Sequence, residues 1–234
     1  MSDMSKNFDP FATPLTEVPS NKQWAAKRKV SNATRKLIKN LLTSTADPDE
    51  LVEIASKIEK QADLLQKQNE LCGIASYLFA DEIDHGSRIN IAYELNPVFG
   101  KSNPIAPDFN IWIDGKKAFG KVNMGWQYEG PPNCVHGGFI AAIFDQFLGV
   151  AQRITKQPGF TGQLNVRYIK PTPLNIDLHI EGWVEKIEGR KSFLACEMWA
   201  DNIMTARCEG IFISATKEVL QRMIGREIPD ENYD

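Results

Sequence analysis

Residues 130–145 read Gly130-Pro131-Pro132-Asn133-Cys134-Val135-His136-Gly137-Gly138-Phe139-Ile140-Ala141-Ala142-Ile143-Phe144-Asp145. A rigid Pro-Pro turn leads into a His-Gly-Gly sequence, and an apolar helix follows that carries a carboxylate nine residues after the histidine. Two glycines at a helix start leave backbone N–H groups open to a ligand oxygen, because no side chain covers them. The stretch therefore predicts a helix N-terminus that holds an oxygen, with an acid two turns further on that acts on the bound group.

Asp145 is the strongest candidate for chemistry in this helix. A helical wheel places it opposite the apolar surface, on a side that it shares with small residues: Gly138, Ala141, Ala142 and Gly149. An Asp on the polar face of an amphipathic helix is usually a solvated charge. Here its neighbours are small rather than Lys, Glu or Gln, which indicates close packing by a ligand or another surface. A carboxylate in that position can accept a proton from water or attack a carbonyl carbon itself.

The composition is that of a globular protein with one large domain, or with one domain and an extension. Of 234 residues, 42% are hydrophobic and 24% are charged, with a net charge of -3. This charge gives no argument for a nucleic acid or an anionic membrane as partner. No apolar run approaches the roughly 20 residues that a membrane span needs, and the N-terminus lacks a secretion signal. We therefore expect a cytoplasmic protein with no nucleic-acid partner and no membrane span.

Neither cysteines nor histidines follow a metal-binding pattern. The four cysteines are irregularly spaced and contain no Cys-x-x-Cys pair, which is typical of reduced structural thiols in a cytosolic protein. The three histidines, His85, His136 and His179, do not pair at ligand spacing, so no metal is predicted. No cofactor is predicted either, and the lack of both the phosphate-binding loop and the dinucleotide fingerprint argues against nucleotide hydrolysis and hydride transfer.

The chain divides into four predicted segments: a flexible arm over 1–20, a helical extension over 21–90, a main domain over 91–215 and a tail over 216–234. In the extension, Asp47-Pro48-Asp49-Glu50 is a strong helix start, with Asp at the N-cap, Pro at the first position and Glu at the third. The second helix carries an apolar stripe. A lone helical hairpin buries too little surface to persist, so we expect this stripe to cover another part of the protein.

The main domain is predicted to consist mostly of strands. A hairpin is predicted around Asp114-Gly115, followed by a helix over 137–152 and then by three or four alternating strands. The short turns between these later strands favour an antiparallel meander. One apolar helix followed by a meander long enough to curl around it predicts an α+β fold.

These features resemble the hotdog-fold acyl-CoA thioesterases, in particular those related to the phenylacetate-pathway thioesterases. The resemblance covers about residues 95–215 and is carried by His136-Gly137-Gly138, by Asp145, and by residues 161–174, which read TGQLNVRYIKPTPL. It implies an α+β hotdog fold, an antiparallel sheet wrapped around a central helix, to which this chain adds an N-terminal helical extension. It also implies hydrolysis of an acyl-CoA to free acid and CoA by a homo-oligomer, dimer or tetramer, with substrate between two subunits. The extension would then cover the groove or clamp the dimer.

The resemblance also assigns roles to residues. Asp145 becomes the catalytic general base or nucleophile, and the Gly137 N–H becomes the oxyanion donor, with Gly138 beside it against the substrate. His136 mainly shapes the turn. Thr161 positions the water or the nucleophile and, as in some relatives, reaches the acid from the other subunit, although Thr is also common in strands for its β-propensity alone. A nucleophilic Cys134 is disfavoured, because no third group is evident that would orient a Cys–His pair.

One position departs from the pattern of the family. Some relatives place an Asn six residues before the histidine, where this chain has Gly130, so Asn133 becomes the candidate for orienting the carbonyl or water. Basic residues at strand ends are candidates for the CoA phosphates, although each can equally be a solvated charge: Arg167, Lys170, Arg190 and Lys191.

The same fold is compatible with two other functions. A non-catalytic acyl-CoA or lipid-binding protein is the main alternative. A hydratase is disfavoured, because such enzymes usually place an Asp and a His within one short loop, and no matching segment is present. The acyl chain that the protein accepts depends on what closes the acyl tunnel, for which Phe144, Phe147 and Trp183 are candidates.

Overall fold

The computed structural model describes Pro19 and residues 21–73, 76–77, 88–157 and 159–224. The helices are α1 (Lys22–Thr43), α2 (Pro48–Gln66), α3 (Arg88–Leu95), α4 (Gly137–Ala151) and α5 (Lys217–Ile224). The strands are β1 (Asp108–Asp114), β2 (Lys117–Asn123), β3 (Gly159–Tyr168), β4 (Asp177–Glu188), β5 (Lys191–Ala200) and β6 (Ile203–Ser214). Two short 3-10 turns span Trp126–Tyr128 and Gln152–Thr155. The predicted flexible arm, apart from Pro19, the last ten residues of the tail and His85 lie outside the described residues.

The strands form one antiparallel sheet in the order β1-β2-β4-β5-β6-β3. The predicted hairpin is confirmed: Asp114 pairs with Lys117, and Gly115 in the turn has a φ of 58°, a left-handed conformation that glycine adopts without strain.

The predicted meander is wrong at β3, which pairs with β6 at the edge of the sheet rather than with β4. The chain does not turn back after β3, because the segment that follows bonds to the loop before α4 instead. The Val135 N–H donates to the carbonyl of Thr172 at 2.8 Å, and Cys134 forms an isolated bridge with Pro173. The two prolines around Thr172 also favour extended backbone over a tight hairpin.

Helix α4 packs across one face of the sheet and contacts all six strands. The side chains on its apolar side are buried, and they include Ile140, Ile143, Phe144, Phe147 and Leu148. The sheet approaches so closely that a Cβ at Gly182 would lie 2.6 Å from the Phe147 ring. This arrangement is the predicted hotdog architecture, and it places Phe144 and Phe147 in the core.

Helix α1 is fastened to the domain by polar contacts of its basic residues. The Asn21 side chain caps the helix by accepting from the Trp24 N–H at 2.9 Å, and the Trp24 ring is fully buried. The Nε–H and Nη2–H groups of Arg28 donate to the Glu94 carboxylate of α3, the shortest contact at 2.7 Å, and Glu94 is itself buried. Charge-assisted bidentate contacts of this kind hold the two helices in one geometry.

Helix α2 begins at the predicted signal. The Asp47 side chain accepts from the Asp49 N–H, and the Glu50 side chain accepts from the Asp47 N–H, which completes a capping box. The apolar stripe, however, has no buried residue in the described part of one chain, and Leu51, Ile54, Ile58 and Leu65 are exposed. The expectation that this stripe covers another part of the protein is therefore not met within a single chain. Within the described ranges, no helix has both the length and the apolar content needed to cross a membrane.

Candidate active site

The start of α4 is organised by His136. Its Nδ1 accepts from the Gly138 N–H at 3.0 Å, and its own backbone N–H donates to the Tyr128 carbonyl at 2.9 Å. The Gly138 N–H is therefore already used. No acceptor in the described residues bonds the Gly137 N–H, which is the first N–H of the helix and has no intrahelical partner. The Gly137 N–H is thus a free donor at the positive end of the helix, and its role as the oxyanion donor stays a prediction.

Close packing explains why glycine occupies position 130. A Cβ on Gly130 would lie 2.7 Å from the His136 Cα, so the Asn of some relatives does not fit here without a shift of the turn. Asn133 has a structural role in the same loop: its φ is 62°, and its backbone N–H donates to the Glu129 side chain at 2.7 Å. These contacts assign Asn133 to the turn, and its place at the substrate stays a prediction.

Asp145 lies on the exposed side of α4, eight residues after Gly137. Its Oδ1 accepts from the Thr161 hydroxyl of β3 at 2.7 Å. The two residues belong to the same chain, which differs from the expectation that Thr161 reaches the acid from another subunit. The hydroxyl fixes one carboxylate oxygen and leaves the other available for a proton.

A β-bulge aims Thr161 at the helix. Thr161 pairs with Phe212, and Gln163 pairs with the adjacent Ile211, so Gly162 is an extra residue in β3. If Gly162 were instead paired in regular register, strict alternation over three residues would turn Thr161 to the opposite face from Leu164, which packs against the core. Bulges commonly redirect a side chain in this way beside functional sites. This bulge is not predicted from the sequence.

Tyr168 is a residue at the site that the sequence analysis did not select. Its hydroxyl donates to the Gly137 carbonyl at 2.9 Å, and a Cβ on Gly137 would lie 3.3 Å from the Tyr168 ring. The signal was present in the alternation of Leu164, Val166 and Tyr168, which places all three on one face of β3. Because that face packs against α4, the last residue of the strand meets the first residue of the helix.

A crevice of about 500 Å³ lies beside the free donor and is lined by Gly137, Gly138, Tyr168 and Lys170, among others. Lys170 is thus the predicted basic residue that the structure brings to the start of α4. The other three lie elsewhere. Arg167 alternates with Tyr168 and therefore faces away from α4, paired with Arg207 of β6.

The last two basic candidates, Arg190 and Lys191, lie at the start of β5. Arg190 donates two guanidinium N–H groups to the Ser214 carbonyl, the shorter contact at 2.7 Å. Lys191 is exposed at the start of the strand. Both therefore stay predictions as CoA contacts. Among the described residues, no group of three or more His, Cys, Asp or Glu side chains could hold a metal ion.

Gly137 and Asp145 lie far apart along α4. Eight residues at 1.5 Å each separate Gly137 from Asp145 by about 12 Å. A carbonyl bonded to the Gly137 N–H, together with a water between that carbonyl and the carboxylate, spans about three hydrogen bonds, or roughly 9 Å. The separation along one helix is longer than this span.

The sequence model of the thioesterase superfamily matches residues 133–206, which include Gly137 and Asp145. Acyl-coenzyme A thioesterase THEM4 of Xenopus laevis is 37% identical over 87 residues, which are 36% of this chain and 39% of that protein. The chain thus spans less than half the length of this curated relative. An uncharacterized protein of Schizosaccharomyces pombe is 30% identical over 142 residues, 58% of this chain and 81% of that protein.

The overall architecture has a solved counterpart. The crystal structure of a thioesterase superfamily protein aligns with 86% of this chain and with all of its own chain, at a TM-score of 0.69 and 27% identity. Sequence and structure agree on the same assignment: this chain belongs to the thioesterase superfamily and has the hotdog fold.

Proposed function

We propose that the protein is an acyl-CoA thioesterase, which hydrolyses an acyl-CoA to a free acid and CoA. The observation that carries this proposal is the pair of half-sites on α4: a free Gly137 N–H at the helix start and a carboxylate, Asp145, oriented by Thr161. Thioester hydrolysis needs both, because the carbonyl oxygen gains negative charge while the attacking water loses a proton. The relative from Xenopus laevis, which is named an acyl-coenzyme A thioesterase, supports the choice of substrate.

In the proposed reaction the Gly137 N–H donates to the thioester oxygen and stabilises the oxyanion. Asp145 accepts a proton from water as the water oxygen bonds to the carbonyl carbon. The tetrahedral intermediate then collapses, the carbon–sulfur bond breaks, and the CoA sulfur takes up the proton. Lys170, beside the crevice at Gly137, is our candidate for contact with the CoA phosphates.

We infer that the working protein is a homodimer. Because about 12 Å separates the two half-sites of one chain, a complete site requires Asp145 from a second chain beside Gly137 of the first. Two features support such an assembly. Strand β3 is the last strand of the sheet, and an open edge can pair with another chain. The side of α4 around Asp145 is built of small residues, which permit close approach.

Mixing two inactive variants tests this arrangement and the activity together. Asp145→Asn removes the base, and Gly137→Pro removes the N–H donor. When the two are co-expressed in equal amounts, half of the dimers combine both chains, and one of the two sites in each such dimer is intact. Release of free thiol from acyl-CoA should therefore recover to roughly a quarter of the wild-type rate, as expected for a two-fold dimer. Recovery confined to the residual rate of either variant would refute a site shared between subunits.

Thr161→Val tests the orienting role of the hydroxyl. Loss of its hydrogen bond to the charged carboxylate should lower kcat by roughly 10- to 150-fold, because such bonds typically contribute about 1.5–3 kcal/mol, with little change in KM. Thr161→Ser keeps the hydroxyl and serves as the matched control. Equal kcat values for the Val and Ser variants would show that the bond does not contribute to turnover.

We also place the protein in the cytoplasm, on the basis of its cysteines. Cys196 and Cys208 are neighbours across β5 and β6, and both are buried and free. Burial raises the pKa of the Cys196 thiol well above its usual range, which keeps the thiol protonated and unreactive. Free thiols at adjacent positions are typical of a reducing compartment.

A further inference from the structure

A second cavity of about 500 Å³ lies against α4, separate in its lining from the crevice beside Gly137. Helix α4 contributes Phe139, Ala142 and Ile143 to its wall, and helix α1 contributes Ile38. The rest of the wall comes from the loop over 97–107 and from the residues around the 3-10 turn Trp126–Tyr128.

The lining of this cavity selects an apolar ligand. None of the residues that line it carries a charge; Gln127 and Tyr128 are the polar ones, and the Tyr128 hydroxyl already donates to the Ile105 carbonyl at 2.9 Å. Burial also raises the pKa of Tyr128, so the phenol stays neutral. A volume of about 500 Å³ lies within the range of roughly 300–1,000 Å³ found for small-molecule sites. The chemistry of the wall therefore matches a hydrocarbon or aryl group.

The cavity lies along the part of α4 that carries both half-sites. Ala142 follows Gly138 by four residues and precedes Asp145 by three, and residues with these spacings are neighbours on a helix surface. The crevice with Lys170 lies at the start of the same helix and contacts Gly137 and Gly138. A thioester carbonyl at the helix start thus has both a crevice with a lysine and an apolar cavity along the same helix, which match the two ends of an acyl-CoA.

Helix α1 is held firmly enough to serve as a wall. The Arg35 guanidinium donates to four carbonyl groups of the same loop, at distances between 2.7 and 3.1 Å: those of Gly100, Lys101, Asn103 and Ala106. Ile38 follows Arg35 by three residues and lies on the same side of the helix. The contacts of Arg35 therefore fix the position of Ile38 over the cavity.

We propose that this cavity binds the acyl group of the substrate, and that Ile38 of the N-terminal extension limits the length of the acyl group that it accepts. The proposal rests on the thioesterase function proposed above. It makes the extension part of the substrate site, in contrast to the core residues Phe144 and Phe147, which do not line the cavity.

The Ile38→Trp variant tests the proposal by filling the cavity. We compare kcat/KM for acetyl-, hexanoyl- and lauroyl-CoA, measured as release of free thiol. Each methylene excluded from an apolar site lowers binding roughly fourfold, so displacement of two or more should lower kcat/KM for lauroyl-CoA at least tenfold. The value for acetyl-CoA should change less than twofold. Leu41→Trp is the matched control, because Leu41 lies on the same helix, is 58% exposed and does not line the cavity.

Two further variants keep the test decisive if Ile38→Trp disturbs folding. Ile105→Trp changes a wall residue in the loop that is 59% exposed, and it should also disfavour lauroyl-CoA. Ile38→Ala enlarges the cavity and should raise the ratio of lauroyl-CoA to acetyl-CoA turnover. If all three variants keep the chain-length profile of Leu41→Trp, the cavity does not bind the acyl group.

A binding measurement separates failure of this inference from failure of the proposed function. The probe is a dodecyl thioether of CoA, which cannot be hydrolysed, titrated calorimetrically into wild type, Ile38→Trp and Leu41→Trp. If wild type hydrolyses no acyl-CoA, the thioesterase proposal fails, and weaker binding by Ile38→Trp alone still supports the cavity. If hydrolysis is normal and the three affinities agree, the cavity proposal fails while the thioesterase proposal stands.

Discussion

Asp145→Asn is expected to lower kcat for acyl-CoA hydrolysis by about 100- to 10,000-fold, the range that a positioned general base contributes. Asparagine keeps the size of the side chain and its acceptor for the Thr161 hydroxyl, which Asp145 bonds at 2.7 Å. It cannot take a proton from water. The measurement is release of free thiol at saturating substrate, beside calorimetric binding of a non-hydrolysable thioether of CoA, whose affinity should stay within severalfold of wild type.

Asp201→Asn provides the matched control for this substitution. Asp201 is an exposed aspartate in the turn between β5 and β6, with a φ of 51°, a conformation that asparagine tolerates. Its variant should turn over at the wild-type rate. Unchanged activity of Asp145→Asn would exclude Asp145 as the base. Absence of turnover in wild type, with retained binding, would instead identify a non-catalytic acyl-CoA-binding protein on the same fold.

Gly137→Pro is expected to lower kcat by about 100- to 1,000-fold, the effect of removing one oxyanion donor. Proline deletes the N–H without breaking the helix, because it is favoured at the first helical position. The preceding residue permits it as well: His136 has φ -61° and ψ 131°, in the extended region that a residue before proline adopts. Thiol release at saturating substrate measures the loss, and a thermal melt checks the fold.

Gly137→Ala separates the loss of the donor from crowding of the site. Its Cβ would lie 3.3 Å from the Tyr168 ring, a tight contact that a partly exposed tyrosine can relieve by a small movement. The alanine variant keeps its N–H and should retain most of the activity. If the alanine and proline variants lose activity equally, contact with Tyr168 rather than the missing N–H accounts for the effect, and Gly137 is not the oxyanion donor.

Local signals in the sequence predicted the local structure well. The Asp47-Pro48-Asp49-Glu50 start, the turn at Asp114-Gly115 and the helix that begins at Gly137 all form where the sequence placed them. Each depends on groups within a few residues of one another, such as a cap, a turn or a helical period. Such signals are readable in a single sequence because no distant partner decides them.

Features that join distant parts of the chain were not predicted. The pairing of β3 with β6 depends on bonds between the loop around Thr172 and the loop before α4, which are more than 35 residues apart. The approach of Tyr168 to Gly137 and of Ile38 to the second cavity likewise involves segments from separate elements. Nothing in the local pattern distinguishes Ile38 from any other apolar residue on an amphipathic helix.

The amino-acid sequence by itself determined the chemical groups: a histidine that caps a glycine-led helix, an open N–H at Gly137 and a carboxylate at Asp145. The distances between these groups are set by their short spacing along one helix. The tertiary structure alone decided how they are used. It brings Thr161 to the carboxylate through the bulge at Gly162, although the two residues lie 16 positions apart in the sequence. Helical spacing keeps Gly137 and Asp145 of one chain about 12 Å apart, and only contact with a second chain, as we propose, brings such groups together.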